Sequence, residues 1–482
     1  LRGVVGARAH FVGWPVDLAS ASVRGEGAEL VVYGLQRPVR VGPIDLRYQR
    51  GAVFLQPATL AWGSADDGAA GSFRIDATAR GRTAPFPSWH IAGAADDARG
   101  IAALAASLGL NLSRGWELQG PLSCDMRWQS ALLPWESRPV GVINLGANGA
   151  KSGGGVLRAP FLNLPVDRIR ARVEMKRDTS EITLTSAKAF GANWSGTFMR
   201  RTADAEWQFA LSTDRLSAAD LDRWLNPRWR ESFLDRMLPF LGTPVDGASP
   251  ENLRANGSLR VGEFALEPLT LRDLSGNMRI DGRSITFSDA KAQFYGGQLS
   301  GLLHANLSEL PSYHADFSLT RVDGGAFAAA TPVLARLRAG TLEGQLSIDA
   351  KGASRGDLIA SIRCRGAAYA DGIGLRGLNF ERALGASSQF APSSRFDGDA
   401  RITSASAAFT CAHRDIQVQK LSLDLGDTQS LIGTGSIGFD HSIDLRLQQV
   451  PVGPAGRAGT FRVTGSLSSP QISRGPAVRR SR

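Results

Sequence analysis

From Leu342 to Lys351 apolar and polar residues alternate one for one. Leu342, Gly344, Leu346, Ile348 and Ala350 fall on one side, Glu343, Gln345, Ser347, Asp349 and Lys351 on the other. A repeat of two sends successive side chains to opposite faces of an extended strand, leaving one face for a core and one for water. The surrounding stretch, Gln293 to Gly352, reads as a strand through a Gly-Gly turn, a Pro-marked turn, a second strand, a short helix and a third strand. Related modules recur along the chain and share a glycine inside a strand: Ala70-Gly71-Ser72, Ser195-Gly196-Thr197, Ser300-Gly301-Leu302 and Thr434-Gly435-Ser436. In the first three, a strand and then a helix follow before a second such glycine at Gly120, Gly257 or Gly344. Glycine within a strand marks a bulge or bend. Bends on successive strands predict a long sheet that curls into a trough.

The expected fold is therefore all-β dominated: a long curled antiparallel sheet, a β-groove of repeated hairpin modules with short inserted helices. Residues 1–250 form an N-terminal β-repeat region, 251–473 a second β-region, and 474–482 a basic tail outside the fold. A helix is expected over 97–109, with Asp96 or Asp97 as its cap. A longer helical insertion is expected over 217–241, where Ser217 with Asp220 resembles a capping box and Pro227 divides two pieces. In its second piece Phe233, Leu234, Met237, Leu238 and Leu241 make an apolar stripe. Asp357-Leu358-Ile359-Ala360-Ser361-Ile362 is expected as strand, continuing in phase to Cys364.

The chemistry of reactions finds little support. The six histidines show no metal-ligand spacing with one another, with Cys or with nearby carboxylates. Gly433 to Gly438 spells a dinucleotide-binding pattern but leads into Phe439-Asp440-His441, a strand, and not into the helix whose N-terminus would hold a pyrophosphate. The expectation is a protein that is not an enzyme and takes no cofactor or metal. A net charge of +10 favours an anionic partner. That charge is spread over polar strand faces, without a basic recognition helix or an aromatic-basic motif, which argues for phosphate headgroups and against nucleic acid. Cys124, Cys364 and Cys411 are each in phase with apolar neighbours and are expected to be small core residues, with no disulfide framework. No run of 18 apolar residues occurs, so no stretch of the sequence spans a bilayer as a helix.

The open question is what covers so much apolar strand face, since the expected helices are few. Two sheets packed as a sandwich are the ordinary solution. The alternative is a curled sheet whose remaining apolar surface is covered by ligand chains.

A resemblance favours the second. Phe294-Tyr295-Gly296-Gly297, the intra-strand Gly301, Pro311, the segments LTRVDGGAF and LEGQLSIDAKG, then SIRCRGAAYADGIGLRGLNF and VTGSLSSPQIS, follow one another as in the AsmA-like C-terminal region. The chain resembles the AsmA family over roughly residues 250 to 473, and more loosely from 1 to 250. This implies an envelope protein of the bacterial periplasm, held at the inner membrane by an N-terminal helix expected upstream of Leu1. The family is related to TamB and to bridge-like lipid transfer proteins with a repeating β-groove, so the implied partners are phospholipid acyl chains and the inner and outer membranes. Groove candidates are the in-phase apolar residues Phe317, Leu319, Leu342, Leu346, Ile348, Leu358, Ile362, Leu445, Leu447, Phe461 and Val463. The rival expectation is a scaffold for outer-membrane assembly proteins, pairing with a client through exposed strand edges. An outer-membrane barrel fits less well, given five tyrosines, a helical insertion and a basic C-terminus.

Overall fold

In the computed structural model 75% of the described residues are strand and 7% helix, with the strands in open sheet not closed into a barrel. The structure describes residues 5–12, 17–31, 38–49, 51–63, 70–80, 84–99, 116–129, 139–146, 153–159, 162–201, 205–225, 253–308, 310–331, 334, 336–352, 355–377, 398–426, 429–450 and 459–474. No helix among them is long and apolar enough to cross a membrane. Two compact units divide the chain: 1–214 with 220–250, and 215–219 with 251–482.

In the first unit the strands begin with β1 (Val5–Val12), β2 (Asp17–Gly25), β3 (Ala28–Leu30) and β4 (Val39–Val41). Then come β5 (Ile44–Gln49), β6 (Ala52–Trp62), β7 (Gly71–Arg80) and β8 (Ala84–Ala95). β9 (Glu117–Gln119), β10 (Leu122–Gln129), β11 (Val140–Leu145) and β12 (Gly155–Arg158) follow. β13 (Val166–Met175), β14 (Ser180–Ala189), β15 (Ala192–Arg200), β16 (Trp207–Ser217) and helix α1 (Ala218–Leu225) complete the series, with Arg215 to Ala219 counted in the second unit. Antiparallel pairing runs β1–β2–β5–β6–β7–β8–β10–β11–β13–β14–β15–β16. Buried Val39, Trp62, Phe73, Ala95 and Leu122 make one core cluster, and Ile169, Ala171 and Ala187 another.

In the second unit β17 (Arg254–Leu266), β18 (Leu269–Asp281), β19 (Ser284–Phe294), β20 (Gly297–Asn306) and β21 (Ser312–Asp323) lead to helix α2 (Gly324–Ala330). β22 (Leu337–Lys351), helix α3 (Arg355–Ser361), β23 (Arg363–Leu375) and β24 (Ala400–Ala412) come next. β25 (Asp415–Asp424), β26 (Ser430–Gly438), β27 (Ser442–Val450), β28 (Thr460–Ser466) and β29 (Ser469–Arg474) end the unit. Each strand pairs antiparallel with the next in sequence, from β17 to β29.

The sequence repeat is a structural one. Beside each glycine-bearing strand, the preceding strand carries one extra residue: between Leu55 and Ala58, Leu184 and Ala187, Phe287 and Ala290, and Val418 and Leu421. Such bulges bend a strand and increase its twist. Two hairpins add a second shared device. Phe190-Gly191 and Tyr295-Gly296 all have positive φ, as a two-residue type I′ turn needs. Phe190 then stacks on Trp224 of α1 at 4.7 Å, while Tyr295 lies 5.6 Å from Phe327 of α2. Each turn is thereby pinned to the helix that ends its module.

Several expectations are corrected. Residues 355–361 form α3, because Leu358 and Ile362 lie one helical turn apart and a short apolar run fits either period. The backbone N–H of Ile362 donates to the Leu358 carbonyl at 2.9 Å. Gly71 opens β7 instead of lying within it, and Gly120 sits in the bend between β9 and β10. Cys364 and Cys411 are not merely small core residues: they face one another across β23 and β24, with Cα atoms 4.7 Å apart, and are disulfide-bonded. That spacing is typical of a directly opposed, non-hydrogen-bonded antiparallel pair, where two thiols come within bonding reach. Asp97 accepts from the Arg99 N–H at 3.0 Å and from that of Gly120 at 3.3 Å. The rest of the helix expected over 97–109, the insertion beyond Leu225 and the tail from 475 lie outside the described residues.

Candidate functional site: a continuous apolar face

Directly opposed residues of an antiparallel pair share a face, so a row of partners can be followed across the second unit. One row runs Ala290, Gly301, Phe317, Leu346, Gly366, Phe409, Val418, Gly435, Leu445, Val463, Ile472, from β19 to β29. The row on one side of it starts Ala292, Leu299, Leu319, Gly344 and ends Leu447, Phe461, meeting a charge only at Arg474. On the other side Phe287, Leu303, Ala315 and Ile348 lead through the disulfide to Ile416, Ile437 and Ile443. The intervening row on the opposite face starts at Leu302 and is polar from β21 onward: Asp316, Ser347, Arg365, Thr410, Gln417, Ser436, Asp444, Thr464, Gln471. The second unit is thus one sheet with an oily side and a wet side.

Large residues and glycines alternate along the oily rows for a steric reason. A Cβ on Gly301 would stand 2.7 Å from Phe317 Cδ1, one on Gly366 2.7 Å from Phe409 Cζ, and one on Gly433 2.6 Å from Leu447 Cδ2. Each large side chain therefore lies down over the neighbouring strand's backbone, covering a glycine that has nothing of its own to pack.

Nine of the eleven groove candidates lie on this face. Phe317, Leu346, Leu445 and Val463 share the first row, and Leu319, Leu447 and Phe461 the second. Ile348 is in the third, and Leu342 lies one step further along β22, paired with Ala370. Leu358 and Ile362 are not on the face: Leu358 belongs to α3, and Ile362 joins it to β23. Sequence reasoning missed Phe287, Leu303, Phe409 and Ile472, whose alternation was visible but whose row depended on register.

Burial splits the face. From β23 to β29 part of it is filled by the protein itself, with Leu431 1%, Leu447 2%, Ile472 3%, Phe461 4% and Val463 4% exposed, in one cluster that reaches back to Leu337 and Leu342, while Phe409, Ile416, Ile437 and Leu445 are half-buried. Between β19 and β22 only small residues of these rows, Ala290, Ala292 and Ala315, are buried: Phe287, Phe317, Leu319, Leu346 and Ile348 are half-buried, and Leu303 is 38% exposed. Apolar surface left in water forfeits roughly 25 cal/mol per Å², so this tract carries a standing drive to be covered. Two concavities of about 450 and 500 Å³ lie on the polar side, against Ser318, Glu343, Gln345 and Tyr369, and against Gln293, Gln298 and Arg321.

What separates the two parts is curvature. Arg336, just before β22, donates from Nε to the carbonyl oxygen of Ser468, in the turn between β28 and β29, at 2.8 Å. Its Nη1 donates to the carbonyls of Arg376 and Gly377 at 3.1 Å each. Strands β22 to β29 are rolled so that the last hairpin returns to the first strand.

Ion pairs mark the wet side. His314 lies between Asp349, 2.9 Å from Nδ1, and Asp316, 3.1 Å from Nε2, and these two carboxylates raise its pKa above the ordinary histidine value. Arg462 donates to both carboxylate oxygens of Asp444 at 2.8 and 2.7 Å and lowers that group's pKa. Burial pushes the Cys124 thiol up to about 11, which leaves it unreactive near neutrality. Among the described residues no three His, Cys, Asp or Glu side chains converge as metal ligands would. Compared with known family models, curated proteins and solved structures, the chain matches none.

Proposed function

We propose that this protein is a non-enzymatic carrier of lipid acyl chains, similar to AsmA-like envelope proteins, which shields the chains on the open apolar tract while headgroups remain in water. The observation that carries the reading is the set of uncharged rows, left half-exposed between β19 and β22 by a sheet whose reverse side carries the polar and charged row through Asp316, Ser347 and Arg365. A hydrocarbon tail needs no hydrogen bond and suits a face that offers none. The Cys364–Cys411 disulfide supports an oxidising compartment such as the periplasm, and the positive net charge suits anionic headgroups. Native mass spectrometry of the purified chain, with transfer of labelled phospholipid between vesicles, tests the reading. Bound phospholipid and accelerated transfer are expected; neither appearing would overturn it.

A scaffold in outer-membrane protein assembly is the second reading. β1 favours it: its residues are all exposed, and among the described residues it pairs with β2 alone. Crosslinking from β1 to a barrel protein in cells, with no lipid captured anywhere on the chain, would move the conclusion to this alternative.

A further inference from the structure

The acyl-chain face does not stop at the half-exposed tract. Its rows continue through β28 without a charged residue, into the rolled part where the protein's own side chains occupy the interior. The interior of the roll and the surface of the tract are one chemical environment, divided only by how far the sheet is bent. The bend is held where Arg336 ties the β28–β29 turn to the start of β22 and the end of β23. Among the described residues no backbone pairing joins β22 to β28 or β29, so side-chain contacts close this seam. All three carbonyls that Arg336 binds lie outside the regular strands, at Ser468, Arg376 and Gly377.

We propose that the Arg336 seam is a gate: releasing it unrolls β28 and β29 and lets an acyl chain pass from the tract between β19 and β22 into the space now filled around Leu447 and Phe461. This rests on the lipid-carrier reading and adds to it a route and its control. An opened roll exposes apolar side chains, and a hydrocarbon chain replaces the lost cover, so lipid binding and opening favour one another. A guanidinium suits such a fastening because it reaches several carbonyl oxygens at once from a planar fork.

The test places a photoreactive benzoylphenylalanine at Leu346, on the open tract, or at Leu445, on the rolled part. Each is made with the native seam and with a lockable seam carrying Arg336→Cys and Ser468→Cys. All forms are incubated with vesicles of dioleoylphosphatidylglycerol, irradiated, and analysed for lipid adducts by mass spectrometry, with the native-seam protein taken through the same oxidation. Capture at both positions in the native protein, and loss of capture at Leu445 alone on locking, is expected. Equal capture at Leu445 with the seam locked overturns the gate and leaves the groove. So does capture at Leu346 with none at Leu445 in any form, which makes the roll a permanent core. Absence of adducts at both positions overturns the groove reading and the gate together.

Discussion

Arg336 and Ser468 lie six strands apart in the order of the sheet, yet the Arg336 guanidinium reaches the Ser468 carbonyl at 2.8 Å. In a flat sheet those strands would stand roughly 29 Å apart, at about 4.8 Å a step. The difference is a measure of the curl, and it explains why Leu447 and Phe461 are core while Phe317 and Leu346 remain half in water. Removing the guanidinium strips partners from three carbonyls, each hydrogen bond to a charged group being worth about 1.5–3 kcal/mol at most. Arg336→Ala is expected to raise hydrogen exchange at β28 and β29 while sparing β19 to β21. Arg336→Lys recovers little, since an ammonium lacks the fork. Unchanged exchange at β28 would mean that the roll is held by its core alone.

The two parts of the apolar face should answer differently to truncation. Leu447→Ala empties a filled interior and is expected to cost about 2–4 kcal/mol. Leu303→Ala, at a residue 38% exposed, is expected to cost under about 1 kcal/mol. Urea denaturation of both variants decides the point; similar losses would show that the tract is packed as tightly as the roll.

Gly301 is required by its neighbours. A Cβ there would lie 2.2 Å from the Asp316 carbonyl oxygen, a backbone atom that cannot swing aside. Gly301→Ala is expected to destabilise by about 1–3 kcal/mol, as overpacking does. Gly153→Ala, where a Cβ meets nothing within 4 Å, is the control and should be close to neutral. A difference in thermal midpoint between the two checks this.

His314 is positioned to report pH. Asp349 and then Asp316 hold its proton, raising the folded pKa above 6.5. The bracket's stabilisation is therefore complete below the unfolded pKa and is lost as pH rises through the higher folded value. The side chain is 40% exposed, so solvent screens the effect and it should be modest. An NMR titration is expected to find the His314 midpoint above 6.5 and to see it fall in Asp349→Asn. A midpoint at or below 6.5 would show that the bracket does not form in solution.

The disulfide makes a countable prediction. Alkylation of unfolded, unreduced protein should label one thiol, Cys124, and reduction should raise the number to three. Replacing Cys364 and Cys411 with Ser is expected to lower stability by about 2–4 kcal/mol, chiefly by freeing the unfolded chain. Three labelled thiols before reduction would remove the pair from the structure.

Much of this molecule was legible in one dimension. Alternation between apolar and polar residues is a local property of an extended backbone, so the strands, their two faces and most of the groove candidates could be read directly. The repeated glycines likewise announced where the modules lie, because a missing Cβ is visible without knowing its partner. Other features were settled by partners distant in sequence. Leu358 and Ile362 suit a strand or a helical turn equally well, and only the surroundings of α3 chose. Cys364 and Cys411 are separated by 47 residues, and nothing in either neighbourhood says that register will set them face to face. Phe317 and Phe461 carry the same local pattern, but one is half-exposed and the other buried, because curvature accumulates from bulges over many strands and is fixed where Arg336 meets Ser468. Local periodicity determines which side chains share a face; only the summed bend of the whole sheet decides which parts of that face the protein covers by itself.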